Sequence, residues 1–146
     1  MKNGLLAIFV AILLLSTSCT IDAEKISYGK DACHYCQMTI VDQQHAAQYV
    51  TSKGKQFKFD AIECMLNEFS EKTIQNTAII LVADYANPGV MTDANNAIYL
   101  ISEKIKSPMG DFLSAFSEQE TANKFFSSEV DTLYSWISIK EKYSVK

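Results

Sequence analysis

A pattern of two strand-like segments followed by a helix-like segment occurs twice in this chain, and it limits the possible fold more than any other feature. In the first occurrence, residues 44–59 show the alternation of a β-hairpin with a turn at residues 52–55. Asp60 then begins a predicted helix, and Glu63 follows at the spacing of a capping box. The apolar residues of this helix recur at helical spacing and predict a buried stripe of Ile62, Met65, Leu66 and Phe69.

The second occurrence predicts strands at residues 78–83 and 97–101, separated by a turn at residues 87–89. A second capping box at Ser117 and Glu120 predicts a helix to about Phe126. A short strand near Val130 and a final helix bearing Leu133, Trp136 and Ile137 complete the expected elements. We therefore expect an α+β fold of two small ββα-type units packed together, about residues 31–75 and 76–146, since no Pro-, Gly- or Ser-rich linker separates them.

The first residues have the three parts of a secretory signal. Lys2 precedes an apolar run at residues 5–15, and small residues at 16–18 precede Cys19. A cysteine at this place is typical of bacterial lipoproteins, although a plain signal peptide with a coincidental cysteine is the alternative. We expect a lipoprotein signal peptide at 1–18, then a lipidated Cys19 and a tether through residue 30. The membrane contact would then be the lipid alone, in the bacterial cell envelope.

Charge and composition exclude one broad class of function. The formal net charge is −4, and all 13 basic residues are lysines. Arginine is the side chain best suited to bidentate phosphate contacts, and nucleic-acid binding domains are usually basic. We therefore expect no nucleic-acid partner.

The residues best suited to chemistry lie in one short segment. Cys33 and Cys36 form a Cys-x-x-Cys pair, and Met38 follows after one residue. Thiolate and thioether are soft donors that favour Cu(I), whereas a structural disulfide is an equally good interpretation of the spacing in an oxidising envelope. A c-type haem is excluded because Gln37, not histidine, follows the second cysteine. A thioredoxin-like pair is disfavoured because strand and turn residues follow it instead of a helix.

The position of Met109 favours a metal site over a structural disulfide as the role of Cys33 and Cys36. Met109 lies between proline and glycine in residues 107–110, on a rigid loop tip where a core methionine is uncommon. Cys64 points away from the buried stripe of its helix, so a supporting ligand, a transfer thiol and a buried filler all stay open. Of the two histidines, His34 is placed for an auxiliary contact, and His45 is expected on the hairpin surface.

These motifs in this order resemble the NosL family of nitrous oxide reductase accessory lipoproteins. The segments that carry the resemblance are residues 15–19, 33–40, 57–66 and 107–110, and together they span nearly the whole mature chain. Family members often have glycine before the motif methionine, where this chain has Gln37. The resemblance implies a double ββα fold like that of the organomercurial lyase family.

The resemblance also implies a function. It implies a periplasm-facing copper chaperone that supplies Cu(I) to nitrous oxide reductase beside an ABC-type maturation transporter, with copper at Cys36, Met38 and Met109. Such a protein needs no catalytic turnover. The rivals are a thiol-disulfide oxidoreductase or a mercurial-lyase-like enzyme using Cys33, Cys36 and Cys64, and a structural lipoprotein with a disulfide. Met38 and Met109 favour the chaperone, because a thiol enzyme has no need of them.

Overall fold

The computed structural model describes residues 20–127, 129–143 and 145. The predicted signal peptide and the predicted lipidation site Cys19 lie outside the described residues. Within the described part, no helix has the length and apolar character needed to cross a bilayer. In chain order the described elements are β1 (Ala47–Thr51), β2 (Gln56–Phe59), α1 (Ile62–Glu68), α2 (Glu71–Gln75), β3 (Thr77–Ala83), β4 (Met91–Asp93), β5 (Ile98–Ile101), β6 (Leu113–Phe116), α3 (Gln119–Phe125), β7 (Thr132–Tyr134) and α4 (Trp136–Lys142).

The first sheet has the strand order β2-β1-β3-β4, with every pair antiparallel. The predicted hairpin is confirmed as β1 and β2, with Tyr49 opposite Phe57. The strand predicted at residues 78–83 is β3, which pairs with β1. This sheet takes strands from both sides of residue 76. The unit bounds 31–75 and 76–146 stay a prediction. Pairing between strands that are far apart in the chain is not visible in a local sequence pattern.

The second sheet has the order β6-β5-β7 and is also antiparallel. The strand predicted at residues 97–101 is β5, whereas β6 was not expected. All four residues of β6 are buried, so its sequence lacks the alternation that predicts a half-buried strand. Two small antiparallel sheets with short helices confirm the predicted α+β fold class.

The capping box predicted for the first helix is wrong. α1 begins at Ile62 after the N-cap residue Ala61, and no side-chain capping bond is found among the described residues. The Asp60 carboxylate instead accepts hydrogen bonds from two thiols, and Glu63 accepts one from Ser107. The predicted buried stripe of this helix is confirmed at Ile62, Met65, Leu66 and Phe69.

The capping box predicted at Ser117 and Glu120 is also wrong. α3 begins at Gln119 with Glu118 as its N-cap residue. The Ser117 side chain lies outside the helix and its hydroxyl donates to the Asp84 carboxylate at 2.7 Å. Asp60 and Ser117 therefore both form hydrogen bonds with other side chains instead of capping the backbone of the helix that follows.

The last helix differs from its prediction at Leu133. Trp136 is buried in α4 as expected, but Leu133 belongs to β7. The helix starts later because Ser135 caps it, so Leu133 stays extended. Ile137 is exposed at 67% of its surface and does not contribute to the core.

The segment predicted as a tether packs partly against the first sheet. Ile26 is buried, and the Lys58 ammonium donates to the backbone carbonyl of Lys25. The Gln56 side chain bonds both to Asp22 O and to Glu24 N. Residues 22–26 therefore lie along β2 instead of extending from the domain.

His45 links the two sheets, so its predicted place on the hairpin surface is wrong. The residue is 2% exposed. Its Nδ1 lies 2.9 Å from an Asp42 carboxylate oxygen, and its Nε2 lies 3.1 Å from the Ser114 hydroxyl on β6. The alternation of residues along β1 predicts that the strand has two different faces. It does not predict that the second sheet covers one of those faces.

Candidate metal centre

Three thiols and one carboxylate meet at a single point in the fold. The Sγ atoms of Cys33, Cys36 and Cys64 and a carboxylate oxygen of Asp60 all lie within 4.8 Å of one another. We call these four residues the thiol cluster. Cys33 and Cys64 are fully buried, Asp60 is 3% exposed, and Cys36 is partly exposed. Three of the predicted site residues are therefore brought together.

Three parts of the chain build the thiol cluster. Cys33 and Cys36 lie on a loop closed by a 2.8 Å hydrogen bond from Cys33 N to Met38 O. The loop is docked on β2 by a bond from His34 N to Lys58 O, also 2.8 Å. Asp60 follows directly after β2, and Cys64 lies in the first turns of α1. The packing of this loop against the β2–α1 junction therefore creates the cluster.

Gln37 has a backbone conformation that favours glycine. Its φ is 64°, in the left-handed region that costs non-glycine residues about 1–2 kcal/mol. The turn places Cys36 and Met38 on either side of it, and the Gln37 side chain donates to the His34 carbonyl at 2.6 Å. Many family members have glycine before the motif methionine, where this chain has Gln37. The left-handed backbone at this position is a physical reason for that glycine.

We expect the Gln37→Gly variant to be more stable than the Gln37→Ala variant. Both variants lose the hydrogen bond to His34, but only alanine keeps the left-handed penalty, so the difference should be about 1–2 kcal/mol. Urea unfolding of both reduced variants measures it. Equal stability would show that the turn relaxes to a right-handed conformation when the side chain is changed.

Asp60 is the member of the thiol cluster that sequence reasoning missed. Its Oδ1 accepts hydrogen bonds from the Cys64 thiol at 3.2 Å and from the Cys36 thiol at 3.4 Å. An aspartate directly before a helix is typical of an N-cap, so the local pattern pointed to another role. Its position four residues before Cys64 was the only available signal.

Two thiols of the cluster, those of Cys36 and Cys64, have raised pKa values, which favour the protonated form. Burial raises the pKa of Cys64, and the Asp60 carboxylate raises it further. The pKa of Cys36 is raised by burial and, less strongly, by the neighbouring Cys33 and Asp60, while a hydrogen bond with the Met38 backbone lowers it. Redox-active and nucleophilic cysteines generally have lowered pKa values. The cluster is therefore a poor source of free thiolate, and a bound cation must displace the protons.

Soft-metal coordination is the chemistry that this donor set suits best. Sulfur donors select Cu(I) and Zn(II) over the hard cations, and a fourth carboxylate donor is compatible with tetrahedral sites. No disulfide joins the three cysteines that the structure describes. Their sulfur atoms are thus available as separate donors.

The two predicted methionine ligands both reach the surface. Met38 is 52% exposed and Met109 is 37% exposed. The loop of Met109 is nevertheless fixed to the helix that carries Cys64, because the Ser107 hydroxyl donates to Glu63 and accepts from Phe112 N. The loop of Met109 and the loop of Cys36 therefore both contact the β2–α1 junction, through Glu63 and Asp60 respectively.

His34 borders the cluster without joining it. Its Nε2 lies 3.5 Å from a Glu68 carboxylate oxygen, and its ring packs edge-on against Phe57. A surface cleft of about 320 Å³ is lined in part by His34, Gln37 and Cys33. His34 and Cys33 thus border the same surface cleft.

Glu63, next to Cys64, is buried with one carboxylate oxygen unpartnered among the described residues. Burial raises its pKa above the ordinary 4.5. Above this ordinary value the unfolded chain releases the proton first, so the contribution of Glu63 to stability falls as the pH rises toward the folded-state pKa.

We expect the Glu63→Gln variant to lose this fall, because glutamine does not ionise and still accepts a hydrogen bond from Ser107. Urea unfolding from pH 4 to pH 8 should give a flatter stability profile than that of the wild type. The exposed Glu103→Gln variant is the control and should keep the wild-type profile. Parallel profiles for Glu63→Gln and the wild type would contradict the prediction.

An α+β domain of two antiparallel sheets with a buried thiol cluster is the class that fold and site define. Residues 25–144 match the NosL family, and the chain belongs to that family. The fold is similar to the crystal structure of the copper chaperone NosL from Shewanella denitrificans, with a TM-score of 0.67 and 18% sequence identity. The alignment covers 80% of this chain and 93% of that chain. No curated protein sequence matches the chain.

Proposed function

We propose that this protein is a copper chaperone that binds Cu(I) at the thiol cluster and delivers it to another protein. The observation that carries the proposal is the convergence of Cys33, Cys36 and Cys64 within 4.8 Å of one another beside Asp60. The similar fold belongs to a protein described as a copper chaperone, and this supports the same cargo here.

The oxidation state follows from the donor types. Cu(I) is a soft ion that prefers thiolate and thioether sulfur, whereas Cu(II) prefers nitrogen and oxygen donors in tetragonal geometry. The cluster offers three sulfur atoms and one carboxylate, and no histidine belongs to it among the described residues. We therefore assign Cu(I) as the cargo, with Met38 and Met109 as proposed thioether ligands at the edge of the site.

The proposed recipient is nitrous oxide reductase, reached beside an ABC-type maturation transporter. Membership of the NosL family supports this part of the proposal, together with the motif resemblance. The proposed location is the periplasmic side of the cell envelope, with the domain held by lipid on Cys19.

We expect Cys19→Ser to release the protein from membranes while the domain keeps its fold. A single serine removes the thiol that the lipid would modify, and no helix in the described residues could replace the anchor. Fractionation of membranes and circular dichroism measure the two effects. A variant that stays on membranes would contradict the lipoprotein assignment.

The proposed role involves no catalytic turnover. The thiol enzymes considered above require a reactive thiolate, but burial raises the pKa values of Cys36 and Cys64. Metal coordination does not require a thiolate in the free protein, because the free energy of metal binding compensates for removal of the thiol protons.

Titration of the reduced protein with Cu(I) against bicinchoninate tests the function. We expect tight binding of one ion, affinity that increases with pH because binding releases thiol protons, and loss of binding when Cys33 and Cys36 are oxidised to a disulfide. Treatment of the oxidised sample with a reductant is the control and should restore binding. Weak binding by the reduced protein, or equal binding by the oxidised protein, would overturn the proposed function.

A further inference from the structure

Lys58 on β2 connects two segments of the chain that lie well before it in the sequence. Its ammonium donates to the backbone carbonyl of Lys25 at 3.0 Å and to the carboxylate of Asp31 at 2.8 Å. Lys25 belongs to residues 22–26, which we call the N-terminal segment. Asp31 begins residues 31–38, which we call the thiol loop because they carry two of the three thiols. One ammonium group therefore holds both segments against the same strand.

The Lys58 ammonium is largely shielded from water. Its side chain is 15% exposed, whereas lysine usually keeps its charge in solvent. Taking an ammonium out of water is unfavourable unless oxygen atoms replace its hydration. The Lys25 carbonyl and the Asp31 carboxylate supply such atoms. Glu24 lies 3.8 Å away but is 69% exposed, and water screens an exposed ion pair. Lys25 and Asp31 are therefore the principal partners.

Asp31 forms the base of the thiol loop. Its carboxylate also accepts a hydrogen bond from Ser27 N at 2.8 Å, and its backbone carbonyl accepts one from Ile40 N at 2.9 Å. The residue after it bridges across the loop to Thr39 as an isolated β-bridge. The two ends of the thiol loop are thus joined at the residue that the Lys58 ammonium contacts.

Lys58 also links the two halves of the thiol cluster. The thiol loop supplies two of its members, whereas Asp60 and Cys64 belong to the β2–α1 junction. The Lys58 carbonyl holds the middle of the loop through His34 N at 2.8 Å, and its ammonium holds the base through Asp31. Lys58 precedes Asp60 by two residues. The position of the loop relative to the junction therefore depends on Lys58.

We propose that Lys58 is a positioning residue that couples Cu(I) binding to the docking of the N-terminal segment. The docked segment holds the Lys58 ammonium in place, and the ammonium fixes the base of the thiol loop so that its thiols reach the cluster. By linkage, an ion that fixes the thiol loop also stabilises the docked segment. This coupling rests on the proposed function and adds regulation of the same site, since displacement of the segment from β2 lowers the affinity for the cargo.

The test measures both directions of the coupling in the full reduced chain. Lys58→Met keeps the apolar stem and removes the ammonium, whereas Lys58→Arg keeps the positive charge. Lys55→Met is the matched control, because Lys55 is exposed and its ammonium lies over the Phe57 ring at 4.5 Å. Competition with bicinchoninate gives the Cu(I) affinity. Hydrogen exchange of the Glu24 N–H, which donates to Gln56 at 3.2 Å, reports the docking of the segment with and without Cu(I).

We expect Lys58→Met to weaken Cu(I) affinity by about tenfold or more, and Lys58→Arg and Lys55→Met to stay within about threefold of the wild type. Cu(I) should slow the exchange of the Glu24 N–H in the wild type and in Lys55→Met but not in Lys58→Met. A lysine with a purely structural role would leave this exchange independent of Cu(I) in every variant.

Wild-type affinity in Lys58→Met would overturn the coupling, and so would Glu24 exchange that does not respond to Cu(I) in the wild type. If circular dichroism shows that Lys58→Met does not fold, Asp31→Asn takes its place. Asp31→Asn removes the charged partner but keeps an acceptor, so it should also weaken the affinity, and wild-type affinity would overturn the coupling. A wild-type chain that binds no Cu(I) overturns the proposed function itself.

Discussion

Replacing Cys64 with serine is expected to weaken the affinity for Cu(I) by about 100-fold or more, or about 2.7 kcal/mol. Cys64 is fully buried, and its Sγ lies with those of Cys33 and Cys36 inside the 4.8 Å cluster. A serine hydroxyl is a hard donor that does not replace thiolate for Cu(I). Competition with bicinchoninate under reducing conditions measures the change.

The size of the serine side chain makes this a test of coordination more than of folding. Serine fits the space of cysteine, and its hydroxyl can donate to Asp60 as the thiol does. Urea unfolding is the necessary control and should show a much smaller effect than the affinity. Unchanged Cu(I) affinity in a folded Cys64→Ser protein would assign Cys64 to the packing role that the sequence left open.

Replacing Phe59 with alanine is expected to lower the free energy of unfolding by about 3–5 kcal/mol, which is much of the stability of a small domain. Phe59 is fully buried at the end of β2, and its ring packs on that of Tyr49 with centroids 5.7 Å apart. The truncation leaves a cavity directly before Asp60. Cu(I) affinity should therefore fall as well, because the β2–α1 junction positions two members of the thiol cluster.

Ile137→Ala is the control for this prediction. Ile137 is 67% exposed on α4, so we expect a change in stability within about 0.5 kcal/mol. Urea unfolding of the two variants under one set of conditions gives the comparison. A small loss for Phe59→Ala would show that the junction repacks, and a large loss for Ile137→Ala would show that exposure is a poor guide to packing on α4.

Local sequence patterns were sufficient where the structure depends on near neighbours. The hairpin of β1 and β2 follows from alternation and a turn, and the buried stripe of α1 follows from helical spacing. The fold class was predicted for the same reason. Cys33, Cys36 and Met38 were found because soft donors within six residues are themselves a strong signal.

Sequence patterns failed where a hydrogen-bond partner distant in the chain replaced the expected local one. Asp60 and Ser117 were both predicted to cap helices, yet Asp60 accepts from thiols and Ser117 donates to Asp84. His45 was expected on the surface but bonds to Ser114, 69 residues away. The strand β6 was missed because burial on both faces removes alternation.

The sequence by itself determined the first hairpin, the buried stripe of α1, the fold class and the presence of soft donors in this protein. Only the tertiary structure decided which donors meet: Cys64 and Asp60 join Cys33 and Cys36, while Met38 lies exposed. The physical reason is that periodicity reports which face of an element is buried but not what covers that face. The thiol cluster forms at a junction of three segments, and only packing brings those segments together.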